Sequence, residues 1–84
     1  MTEINTWVWI VDLDEMICRN PQNNVTVKLE KEGENIVSKL HDMPMALFGE
    51  ISDNVDGEKI IMQIVKSAEE EYLRVNLNKN KEIV

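Results

Sequence analysis

Three acids close together near the start of the chain, Asp12, Asp14 and Glu15, offer the hard oxygen ligands that Mg²⁺ or Ca²⁺ takes. The same residue types also build tight turns, because a short carboxylate can accept a hydrogen bond from the backbone two or three residues on. Here they separate two short apolar blocks, and the turn reading is the simpler one. His41 is the only histidine and Asp42 follows it; Cys18 is the only thiol. Nucleophilic catalysis would need these groups to converge in space, with a third group orienting the base. No local signature announces that, and a lone Cys is most often a small buried hydrophobe.

The segment Ser52-Asp53-Asn54-Val55-Asp56-Gly57 has the look of part of a calcium loop. Placing Gly57 at the sixth position of an EF-hand loop puts Ser52 first and Gln63 twelfth, where Asp and a bidentate Glu belong. Two ligands fail, so the segment reads as an interhelical turn with Asp caps. Three scattered glycines cannot form a phosphate-cradling loop. These residues point to no catalytic, cofactor or metal site, and no motif ties the chain to a known family or activity.

Two surfaces remain as candidates for recognition. Trp7, Val8, Trp9, Ile10 and Val11 form the longest apolar run. Trp7 and Trp9 share a face of an extended strand, either as core or as an aromatic platform, and core is the favoured reading. Val8 and Ile10 make the opposite face apolar as well, which a sheet covered on one side does not ordinarily show. Glu69, Glu70 and Glu71 form a second candidate: most simply a solvated helix face with Glu70 four residues before Arg74, or else an acidic surface imitating nucleic-acid phosphates.

Composition bounds the function classes. The chain has 84 residues with 16 acids against 9 bases, a net charge of −7. That balance opposes direct binding to DNA, RNA or anionic membrane, which needs clustered Lys and Arg. The acids are spread evenly along the chain. A single Cys excludes an internal disulfide and fits a reducing cytoplasm. The first residues carry no basic segment leading into a long apolar one, so no signal peptide is expected. A five-residue apolar run is far short of the roughly twenty residues of a membrane span. One domain of this size buries roughly 60–65% of its unfolded surface and is marginal alone.

The elements that must position these residues follow from periodicity. Residues 5–12 and 15–20 read as strands around the acidic turn, and the Asn20-Pro21-Gln22-Asn23-Asn24 cluster ends the second. Val25, Val27 and Leu29 alternate with Thr26, Lys28 and Glu30, predicting a strand over 25–32 paired with another over 35–41. A turn at Glu32-Gly33 would set Leu29 opposite Ile36, Val27 opposite Ser38 and Val25 opposite Leu40. Pro44 opens a short helix over about 44–52. A long helix over about 57–78 carries Ile61, Ile64, Val65, Ala68, Tyr72 and Val75 as one stripe, widened by Ile60, Leu73 and Leu77. Residues 79–84 are expected to fray.

Strands grouped before helices predict a single α+β domain over 1–84, a four-stranded antiparallel sheet with both helices on one face. The leading functional expectation is a non-enzymatic protein-interaction module, a homodimer or one docking on a larger protein. An acidic inhibitor or nucleic-acid mimic occupying a basic partner is the alternative, and a small enzyme is third. Acids at phosphate-like spacing on one face would mark the mimic; a cleft uniting His41, Cys18 and acids would mark the enzyme.

Overall fold

The alternation of Val25, Val27 and Leu29 creates the structural centre of the molecule. The computed structural model describes residues 7–83. In it these three side chains are fully buried, while Lys28 and Glu30 of the same strand are exposed. The sheet is an antiparallel meander in the order β1 (Ile10–Asp12), β2 (Ile17–Asn20), β3 (Val25–Glu32) and β4 (Asn35–Asp42). Helices α1 (Met45–Ser52) and α2 (Gly57–Ile83) follow. This is the α+β layout expected.

The β3–β4 register differs from expectation by two residues. Leu29 faces Ser38, Val27 faces Leu40 and Lys31 faces Ile36. The loop is Gly33-Glu34, not Glu32-Gly33, with Gly33 at φ 64° in its first position, where a type II′ turn calls for glycine. Side chains alternate with period two, so a slip of two residues leaves every side chain on its predicted face. The slip gives Leu40 to Val27 in place of Val25, and a bulge between Thr26 and Val27 sets Thr26 against Asp42.

β1 is shorter than the 5–12 expected. Residues 5 and 6 lie outside the described residues, and Trp7–Trp9 have no strand ladder. What holds that segment is Asn20, a fully buried polar residue. Its Nδ2 donates to the Val8 carbonyl at 3.1 Å, and its Oδ1 accepts from the Asn23 backbone N–H at 2.8 Å and from Asn23 Nδ2 at 3.1 Å. One amide side chain thus ties the start of the chain to the β2–β3 turn. β2 begins at Ile17 because residues 13–16 form the turn, ending with Met16 at a left-handed φ of 57°.

Pro44 stands just before the first turn of α1. The turn into α2 is built on Asn54, whose Oδ1 accepts the Asp56 N–H at 3.0 Å. A Cβ on Gly57 would lie 2.5 Å from the Ile51 carbonyl oxygen, so only glycine allows α1 and α2 to meet this closely. Residues 79–83, read from sequence as a fraying tail, continue α2 with helical backbone. Ile64, Ala68 and Tyr72 close the core over β2 and β3, with Ile60, Ile61 and Val65 half-buried beside them. Leu73 and Leu77 do not widen this stripe, because both are exposed. At about 100° per residue Leu73 points well away from the Ile64–Ala68–Tyr72 face.

Candidate functional site

The run Trp7 to Val11 splits by alternation. Trp7 and Trp9 are buried with ring centroids 5.7 Å apart, and Trp9 Nε1 donates to Ser67 Oγ on α2 at 3.1 Å. Val11 is half-buried against the same core. Val8 and Ile10 stand on the other side, 69% and 51% exposed. The five residues therefore form no single surface: three serve the interior and two face solvent. Around Ile10 the outward sheet face is mixed: Arg19, Lys28, Glu30 and Lys39 are exposed, with Lys39 Nζ 3.5 Å from Glu30, and Ile17 and Val37 stand half-buried among them.

The three glutamates also separate. Successive helical residues diverge by about 100°. Glu69 accepts from Ser38 Oγ at 3.3 Å, Glu70 is exposed, and Glu71 accepts from Arg74 Nε and Nη2. Arg74 therefore bonds the residue three before it, not Glu70. The hydrogen bonds from Arg74 hold the Glu71 carboxyl below the usual carboxylate range.

The candidate chemistry is dispersed. Cys18 is fully buried under α2, and its Sγ donates to the Ala68 carbonyl at 3.4 Å. Burial first, and the nearby Glu71 charge second, push the thiol up to about 11, so the nucleophilic thiolate is suppressed. Burial also raises the Tyr72 phenol, with Cys18 adding to it. His41 is exposed on β4, at the bulge where Leu40 pairs with Val27 and Asp42 with Thr26, while Cys18 is buried. In the β1–β2 turn, Asp12 Oδ1 accepts the Glu15 N–H at 3.0 Å, which is the turn role its sequence allowed. Among the described residues no group of three or more His, Cys, Asp and Glu is placed to hold a metal ion. No helix among them is long and apolar enough to cross a membrane.

What the structure does bring together is apolar surface on the outside of α2. Met62 is 70% exposed, Leu73 43% and Leu77 57%. A groove of about 630 Å³ runs between α2 and β4, lined by Ser38, Ile61, Met62, Val65, Lys66 and Glu69. A second hollow of about 510 Å³, lined by Phe48, Val55, Lys59 and Ile61, continues it toward α1. Leu73 and Leu77 are expected from sequence to widen the core stripe, and Met62 stands in no sequence pattern that marks it. The signal lay in their rotation from Ile64 and Ala68, which becomes legible once the buried face is known.

The class these observations define is a four-stranded antiparallel meander followed by a short helix and a long one, with α2 packed on the sheet and apolar side chains exposed on α1 (Met45, Phe48), on the turn after it (Val55), on α2 and beside β1. No protein-family model, curated protein or solved structure matches the chain.

Proposed function

We propose that this domain is a non-enzymatic protein-interaction module of the reducing cytoplasm, acting as a homodimer or docking on a larger protein. The observation that carries the reading is the placement of large apolar side chains outside a core that is already closed: Met62, Leu73 and Leu77 on α2, Ile10 on β1 and Val8 just before it. A domain of this size has little stability to spare, and burial is favourable by roughly 25 cal/mol per Å² of apolar surface. Exposed apolar surface on such a domain marks a binding face. The groups capable of acid–base or nucleophilic work sit apart or are held by structural bonds, so binding is the activity this surface supports.

The test is light scattering coupled to size exclusion at tens of micromolar. The homodimer form predicts a mass near twice 9.7 kDa. A mass near 9.7 kDa removes that form of the proposal.

A further inference from the structure

We infer that two copies of this chain associate through the outward face of α2, the helices lying antiparallel about a two-fold axis that passes level with Ser67 and Ala68. The inference rests on the interaction-module reading and names its surface and its occupant.

Met62, Lys66, Glu69 and Leu73 fall at steps of four, three and four along α2. At about 100° per residue they lie within about 60° of one another, on the flank of the helix beside β4 and about 100–160° round from Ala68. The order along this stripe is apolar, basic, acidic, apolar. An antiparallel copy reads the same stripe backwards. Lys66 then stands opposite the partner's Glu69, and Met62 opposite the partner's Leu73. Each pair occurs twice because a two-fold interface is self-complementary. In the same register Lys59 meets Asn76 of the second copy.

A parallel arrangement in register would instead set Lys66 against Lys66 and Glu69 against Glu69, which is repulsive. Charge thus selects the antiparallel pair, and the apolar ends supply the buried area. The groove beside α2 has Met62, Lys66 and Glu69 along its wall, so the second helix has a seat on the β4 side. Ser38 Oγ already bonds Glu69 at that wall and holds its carboxylate in place.

Light scattering and sedimentation on wild type and four variants test this. Wild type gives a mass near twice 9.7 kDa. Lys66→Glu places acids opposite acids at two symmetric positions and weakens the dimer by about tenfold or more. The swap Lys66→Glu with Glu69→Lys restores opposite charges and returns the affinity to within a few-fold of wild type. Met62→Glu, at an exposed position, gives a folded monomer by circular dichroism. Ser38→Ala, which leaves the charges alone, stays dimeric. A wild-type monomer overturns both this inference and the homodimer form of the module. A dimer that Lys66→Glu and Met62→Glu leave intact overturns the inference alone and moves the interface to another face. A swap that fails to restore the dimer lost in Lys66→Glu contradicts the antiparallel register.

Discussion

The two sides of α2 draw on similar residue types and do different work. The inner side presents Ile64, Ala68 and Tyr72, which are buried to near completion against β2 and β3. Two of its polar atoms accept bonds from the sheet side: Ser67 receives the Trp9 indole N–H, and the Ala68 carbonyl receives the Cys18 thiol. The outer side presents Met62, Leu73 and Leu77 in water beside Lys66, with Glu69 at its edge bonded to Ser38 of β4. An apolar residue on a helix is therefore not core by type. Its rotation relative to the sheet decides.

The sharpest way to break this contrast is to truncate the inner side. Ile64→Ala removes fully buried volume under conditions where collapse is only partial, and should cost about 2–5 kcal/mol in chemical denaturation. A cost under about 1 kcal/mol would mean that α2 does not close the core.

Next in size is a pH effect. The folded Cys18 thiol holds its proton up to about 11, above the ordinary value of 9.0. The unfolded chain therefore loses that proton first. Stability from this group is fully present below pH 9 and is lost as pH rises through about 11, a loss of order 2–3 kcal/mol. Denaturation midpoints between pH 8 and 11 should fall more steeply for wild type than for Cys18→Ala. Equal slopes would remove the buried-thiol account.

A smaller effect sharpens the polar side of the contrast. Ser67→Ala leaves the Trp9 indole N–H without its acceptor and should cost about 1 kcal/mol. Intrinsic tryptophan fluorescence of the folded protein should shift as well. The smallest effect belongs to the outer side. Met62→Glu should change the stability of the monomer by less than about 0.5 kcal/mol when measured at submicromolar concentration, where association contributes nothing. A loss of several kcal/mol there would place Met62 in the core.

Much of this was legible in the sequence, for reasons that also explain what was not. The faces of β3 and β4 were readable because alternation is a period-two signal, and the turn glycine was readable as a turn residue. The register was not, because pairing Leu29 with Ile36 or with Ser38 leaves the same side chains on the same face. Trp7 and Trp9 were rightly placed inside, but the five-residue run Trp7–Val11 could not be one surface once it was extended. Asn20 was read only as a strand stop. Its role as a buried hub depends on Val8 and Asn23 converging on it, which no local pattern encodes. Leu73 and Leu77 were misplaced because an apolar stripe widened on both flanks no longer marks which side is buried. Glu71, not Glu70, took Arg74 because three- and four-residue spacings are both neighbours on a helix.

The central claim is that a second copy lies antiparallel on the outer side of α2, and a distance measurement reaches it most directly. Lys79 is exposed and lies near the end of α2, and the native Cys18 is buried and shielded from labelling. A nitroxide on Lys79→Cys should therefore report one intermolecular distance by pulsed electron resonance. Helices antiparallel about a point level with Ser67 and Ala68 put the two labels about 35 Å apart, at 1.5 Å rise per residue and roughly 10 Å between axes. A distance near 10 Å would mean parallel helices, and no dipolar signal at concentrations where the protein is dimeric would mean that another face is used; either result contradicts the account.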